Sequence, residues 1–251
     1  MKTLTWAAAL VSLATALQPA IAAESFSTQQ KDEIGAIVRE YLLAHPETLM
    51  EMQQALEKKQ SEDRMAQAKV AVDANKELIF NAPYDLSVGN PQGKVTVVEF
   101  FDYNCGYCRR AMKDMDAIVK SNSDVRFVLK EFPILGPDSV AAHKVSNAFR
   151  TLAPEKYGEF HRELLGGDHA DEARAIEVAK KLGVSEKDLR AQMDKSDFDA
   201  KVQDAYKLAT ELGISGTPSY VIGNEAIFGA VGADALSQKI ANVGQCGKTV
   251  C

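Results

Sequence analysis

Apolar residues recur at Ile34, Ile37, Val38, Tyr41 and Leu42, the i, i+3, i+4, i+7, i+8 spacing of one helical face, and Ser27 with Gln30 forms a capping-box pair ahead of them. The spacing predicts a helix over 27–44. His45-Pro46 stops it, because proline disfavours helical backbone in the residue before it. From Glu47 to Phe80 there is neither glycine nor proline, and the apolar positions gather at the two ends: Leu49, Met52 and Leu56, then Val70, Val72, Leu78 and Ile79. Between them EKKQSEDR, 57–64, has no apolar side chain and reads as a solvated helical rod or a hinge. A helix with an apolar stripe and no core of its own must bury that stripe. It can dock on the main domain or, the reading favoured here, associate with copies of itself.

Pro83, Gly89, Pro91 and Gly93 mark 81–93 as a turn-rich boundary. Then the pattern changes. KVTVVEFFD, 94–102, reads as a buried strand, Cys105 to about Ser121 as a helix and VRFVLKEFP, 125–133, as a second strand, a βαβ order that makes the strands parallel. Residues 138–212 read as helical almost throughout, with Ser185 as N-cap and Asp188 at N3 of one helix. After Gly216-Thr217-Pro218 come two short strands, SYVIG and EAIFG, turning at Gly223-Asn224, and a closing helix from about Ala233 to Ala241. The order predicts an α/β chain: a thioredoxin fold in two parts (81–137 and 213–251), a helical domain inserted between them (138–212), and an N-terminal helical extension (23–80).

The first residues change the setting. Lys2 supplies a positive start, Leu4 to Leu17 is uncharged and mostly apolar, and Ala20-Ile21-Ala22 offers a small-x-small cleavage site, so 1–22 reads as a signal peptide. The apolar run is shorter than the roughly 20 residues that span a bilayer. The formal charge is -6, and the leader carries only Lys2, so the mature chain is more acidic still. An acidic surface is a poor match for nucleic acid, which demands positive charge. The expected location is the periplasm of a Gram-negative host, an oxidising compartment where cysteines are normally paired or catalytic.

The chain has four cysteines, at 105, 108, 246 and 251. A structural zinc site needs four ligands, usually a second CxxC or two closely spaced histidines; Cys246 and Cys251 are at CxxxxC spacing and the four histidines show no HxxxH pair, so no metal site is expected. Cys105, by contrast, follows a strand and a short loop and should open a helix. Unpaired amides and a partial positive charge there favour an anion, which lowers a thiol's pKa below the roughly 8.5 of free cysteine. Cys105 is the expected nucleophile and Cys108, one turn further in, the resolving thiol. Glu99 lies in an otherwise apolar strand; it is either edge-exposed, paired with Lys130, or, as favoured here, a buried carboxyl of raised pKa that accepts the Cys108 proton. Thr217-Pro218 precedes a strand, where a cis bond would expose backbone groups to an extended peptide. Cys246 and Cys251 are expected to form a structural disulfide, since an exported chain seldom leaves thiols free. His161 and Tyr157 read as packing or capping residues before a role in a substrate groove, Asp102 and Tyr103 as shaping peptide access, and Arg109 and Arg110 either as charge near Cys105 or as a solvated face.

From VVEFFDYNCGYC through KEFPILG and YGEFHRELL to GISGTPSYVIG, about residues 85–243, the chain resembles the DsbA-like thiol–disulfide oxidoreductases. Within them it looks most like the suppressor-of-copper-sensitivity protein C (ScsC) group, whose members can carry an N-terminal helical extension and in some cases trimerise through it. The resemblance implies Cys105 as nucleophile, Cys108 as resolving cysteine, Glu99 as buried acid and Thr217-Pro218 as the cis-proline loop, with no cofactor. DsbA has Pro-His between its cysteines and Val before the proline; Gly106-Tyr107 and Thr217 are instead similar to the disulfide isomerase DsbC. The expected function is therefore a protein disulfide isomerase, with Gly106, Tyr107, Thr217 and Pro218 meeting the substrate. The implied partners are misoxidised or unfolded exported proteins, a membrane thiol reductant of the DsbD type, and copies of the chain, a trimer before a dimer. A monomeric thiol oxidase or reductase and a copper-binding protein using the CxxC thiolates are the competing readings.

Overall fold

The computed structural model describes residues 26–82 and 84–251. The leader expected over 1–22 lies outside the described residues. The chain divides into two compact units, one ending at Glu57 and one spanning Lys58 to Cys251.

The described part of the first unit holds helix α1 (Thr28–Ala44) and the beginning of α2 (Glu47–Ala74). The capping box forms as read: Ser27 Oγ accepts from the Gln30 amide at 3.3 Å and Gln30 Oε1 accepts from the Ser27 amide at 2.9 Å. α1 buries none of its residues. Ile37 and Leu43 are each 66% exposed, and Leu49 and Met52 are similarly open among the described residues.

EKKQSEDR, which begins at the last residue of the first unit, is helical throughout, and in the second unit the helix ends only at Asn75, ahead of α3 (Lys76–Phe80). The Asn75 side chain donates through Nδ2 to the Ala71 carbonyl and to Glu211 Oε2, both at 2.9 Å, which anchors the break. Strands β1 (Leu86–Gly89), β2 (Val95–Phe101), β3 (Val125–Glu131), β4 (Ser219–Ile222) and β5 (Glu225–Phe228) form one mixed sheet in the order β1-β3-β2-β4-β5. β2 runs parallel to β3, as the βαβ pattern predicts, and antiparallel to β4. Strand β1 corrects the reading of 81–93 as turn alone. It is four residues long and ends at Gly89, whose φ is +96° and where a Cβ would lie 2.8 Å from the Val125 carbonyl oxygen. Only glycine lets the backbone approach β3 that closely, and the glycine that made the segment look like a turn is what ends the strand.

Side-chain alternation along β2 divides the core into two layers. Val95, Val97 and Phe101 pack with α4 (Gly106–Ser121), the inserted helices α5 (Pro137–Leu152), α6 (Tyr157–Gly166), α7 (Glu172–Lys181) and α8 (Glu186–Met193), and α10 (Ala233–Cys246). Val98 and Phe100 pack on the other side with Leu208 of α9 (Phe198–Glu211) and with Ala68, Val72 and Ile79. Those last three make the second half of the expected extension part of the sheet's own core, so the units divide at Glu57 and not at residue 80. α10 runs five residues past Ala241: Gly244 inside it is no stop, and Gly247, at φ +75°, is the left-handed cap. Cys246 and Cys251 are joined as a disulfide just beyond. No described helix is long and apolar enough to cross a membrane.

Candidate active site

β2 delivers the chain to the loop Asp102-Tyr103-Asn104, and α4 begins immediately after it. Its buried residues Cys108, Ala111, Met115 and Ile118 follow a 3-4-3 spacing that presses one face of the helix on the sheet. Cys105 is the N-cap, with extended backbone. Its sulfur accepts from the Cys108 amide at 3.3 Å, and as a thiol it donates to the Thr217 carbonyl at 3.2 Å. The Thr217-Pro218 bond is cis. Strand β4 thus brings the loop that precedes it directly over the sulfur, joining positions 105 and 217 that the sequence holds far apart.

Both thiols are free, and their environments separate them. A hydrogen bond from Cys108 is the largest influence on Cys105; with help from Thr217 and the first amides of α4 it outweighs burial and lowers that thiol's pKa to about 6. Cys108 is fully buried, and burial, reinforced by its bond to Cys105 and by the Glu99 charge, pushes its pKa far up. At neutral pH one sulfur is a thiolate and the other a thiol, the division of labour expected of an attacking and a resolving cysteine.

Glu99 is 3% exposed, in β2 between Leu129 of β3 and Tyr220 of β4. The pairing with Lys130 does not occur. Lys130 donates to Asp85 and to the Leu78 carbonyl instead, because β1 brings the acidic end of its own loop over β3. No side-chain hydrogen bond to Glu99 is present among the described residues. Burial, then the charges of Cys105 and Asp114, raise its pKa to about 8.

The front of the site is open. A Cβ on Gly106 would meet nothing within 4 Å, and Tyr107 is 60% exposed with the Arg110 guanidinium 4.2 Å from its ring centre. Arg109 turns away and donates to the Leu165 and Asp168 carbonyls at 3.0 and 3.1 Å, fastening α4 to the inserted helices. Neither arginine is a principal cause of the Cys105 shift. His161 and Tyr157 are buried as packing residues; the His161 ring meets Phe101 edge-on at 4.7 Å, and burial lowers its pKa to about 3. Sequence reasoning missed the role of Asp102, which is buried and accepts four hydrogen bonds. The available signal was an acid at the end of an apolar strand followed by Asn104, a placement that demands donors.

Residues 96–241 match the DSBA-like thioredoxin domain model, and residues 30–62 match that of the copper resistance protein ScsC N-terminal domain. Among solved structures, a thioredoxin-like oxidoreductase from Silicibacter pomeroyi is 36% identical, with a TM-score of 0.65 over 68% of this chain and 99% of that one. The thiol-disulfide exchange protein alpha-DsbA2 from Wolbachia pipientis is 27% identical (TM-score 0.65, 70% and 95% covered). Proteus mirabilis ScsC in a transitional conformation is 28% identical (TM-score 0.60, 84% and 95% covered). The chain spans only 24% of the length of two curated relatives, the Na(+)/H(+) antiporters NhaA 3 of Salinispora tropica and NhaA 1 of Salinispora arenicola, at 24% and 25% identity.

Proposed function

The chain belongs to the family of DsbA-like thioredoxin-domain proteins, and from that premise we propose that it is an exported thiol–disulfide oxidoreductase that reshuffles non-native disulfides in other proteins. The observation that carries the reading is the placement of Cys105 Sγ, which accepts from the Cys108 amide, a contact that favours its thiolate, and lies 3.2 Å from the Thr217 carbonyl of the cis-proline loop beside an open face. The thiolate attacks one sulfur of a substrate disulfide; a mixed disulfide forms and the substrate's second sulfur leaves as a thiolate. That released thiolate can attack another substrate disulfide and eventually expel Cys105, an exchange with no net redox change. Alternatively Cys108 loses its proton to Glu99 and displaces the substrate, leaving the Cys105–Cys108 disulfide and a substrate reduced by two electrons. A membrane thiol reductant of the DsbD type would then restore the dithiol.

Isomerisation is favoured over simple oxidation by Gly106-Tyr107 and Thr217, which lack the histidine of DsbA, and by the open apolar stripe of α1, whose burial between copies would give a trimer with several sites around one substrate. The leader read over 1–22 supports a periplasmic address. The discriminating experiment is recovery of activity from scrambled ribonuclease by the mature chain, beside insulin reduction and a mass measurement. Recovery with a mass of several chains is expected; insulin reduction without recovery, from a single chain, returns the monomeric reading.

Glu99 gives a second expectation. In the mixed disulfide Cys105 no longer carries a charge, so one cause of the raised Glu99 pKa disappears at the moment Cys108 must be deprotonated. Glu99→Gln is expected to slow closure of the Cys105–Cys108 disulfide by about 100-fold, the usual scale for a lost general base. It should leave the first attack nearly unchanged, as rapid-quench kinetics on a peptide disulfide would read. The sign for stability is separate. A carboxyl whose folded pKa is raised stabilises the fold below its unfolded value and loses that contribution as pH rises through about 8. Relative to wild type, the glutamine variant should therefore melt higher in alkali.

A further inference from the structure

Four donors converge on one buried carboxylate just ahead of the nucleophile. Asp102 Oδ1 accepts from the Asn104 amide at 2.8 Å and from Ser139 Oγ at 2.7 Å, and Oδ2 accepts from the Ile134 and Leu135 amides at 2.8 and 2.9 Å. The Asp102 carbonyl also accepts from the Cys105 amide at 3.0 Å. Asn104 extends the clamp. Its Nδ2 donates to Ser139 Oγ at 3.0 Å and to the Ala170 carbonyl at 2.7 Å, while its Oδ1 accepts from the Ala170 amide at 2.8 Å. The short loop before Cys105 is thus held at three places remote in sequence: the segment after β3, the first turn of α5 and the approach to α7.

We propose that Asp102 is a positioning residue for disulfide exchange: by fastening this loop through Asn104 and Ser139, it keeps the Cys105 sulfur within reach of the Cys108 amide and the Thr217 carbonyl. The inference rests on the exchange chemistry assigned to Cys105. The two contacts at that sulfur are 3.3 and 3.2 Å, and their strength falls steeply with small displacements of the N-cap backbone. Through Ser139 and Ala170 the insertion therefore sets the nucleophile's geometry.

Two roles for Asp102 differ in sign. If it acted only as a nearby negative charge, removing that charge would favour the thiolate and lower the Cys105 pKa. A positioning residue does the opposite. Asp102→Asn keeps the shape but turns an acceptor into a donor facing donors, which loosens the loop and weakens the Cys108 amide's hydrogen bond to the thiolate.

The test is titration of Cys105 in the full chain, by ultraviolet thiolate absorbance and by iodoacetamide alkylation. With Asp102→Asn the midpoint is expected to rise by about one pH unit, and alkylation at about pH 6 to slow about fivefold, with the rate in alkali unchanged. Ser139→Ala, which removes the bridge between Asp102 and Asn104, should move both in the same direction by about twofold in rate. Asn90→Ala, in the turn between β1 and β2 where the side chain donates to the Ser123 carbonyl at 2.7 Å, should lower the melting temperature and leave the titration at its wild-type position. A folded Asp102→Asn protein whose midpoint is unmoved or lowered overturns the proposal. Should that variant not fold, an unmoved midpoint in Ser139→Ala overturns it equally. A wild-type thiol no more reactive than free cysteine overturns the exchange reading and this one with it, whereas a reactive wild-type thiol with unmoved variants overturns this one alone.

Discussion

Replacing Cys105 by serine is expected to reduce exchange with a peptide disulfide by roughly a thousandfold or more, because a hydroxyl in the same place is almost never ionised and attacks sulfur poorly. The contacts that serve the sulfur would be kept, since Ser is a favoured N-cap and can still accept from the residue-108 amide. Stability should therefore change little while activity disappears, and that contrast separates chemistry from scaffolding. Cys108→Ser is expected to behave differently. The lowered Cys105 pKa owes most to the Cys108 thiol, so its loss should raise that value somewhat, yet the first attack proceeds and the reaction stops at the mixed disulfide. Mass spectrometry of the two variants with a disulfide-bonded peptide checks both. A trapped adduct on Cys105→Ser, or none on Cys108→Ser, would reverse the roles assigned to the two sulfurs.

What could be read beforehand divides along a physical line. The periodic elements were legible because they are local: the stripe of α1, the N-caps Ser27 and Ser185, the parallel pair β2 and β3, and the Cys105 N-cap all rest on spacings of a few residues. Strand β1 was not, because the alternation of Leu86, Ser87 and Val88 is too short to stand out between the prolines and glycines around it, and only β3 reveals that they pair. The partner of Lys130 was missed for the same reason; Asp85 arrives with β1 and takes the lysine. The end of the extension was misplaced because Val72 and Ile79 look alike whether they serve a free helix or a core. The Asp102 clamp depends on Ser139 and Ala170, more than thirty residues away, and no local pattern announces it. The sulfur chemistry could be named from a short stretch, whereas the machinery that aims it is assembled from the insertion.

That division decides how the extension should be tested. A chain beginning at Asn90 looks natural from the turn signals, but it would lose β1 and the buried Ala68, Val72 and Ile79, so its failure would report a damaged core. A chain beginning at Lys58 keeps the whole of the second unit. It is expected to reduce insulin and alkylate at Cys105 as the mature chain does, to sediment as one copy, and to lose about tenfold or more of its recovery of scrambled ribonuclease. The expected loss comes from avidity: copies joined through their exposed helices would hold one substrate near several thiolates, and linked sites gain roughly 100- to 10,000-fold without any new contact. The open residues of α1 and early α2, Ile37, Leu43, Leu49 and Met52 among them, are the surface such an assembly would cover. Substituting Ile37 and Leu43 together by glutamate should produce the same phenotype in the full-length mature chain, which separates loss of association from loss of length. Full ribonuclease recovery by either protein as a single copy would mean that one catalytic domain suffices and that the helices serve something else.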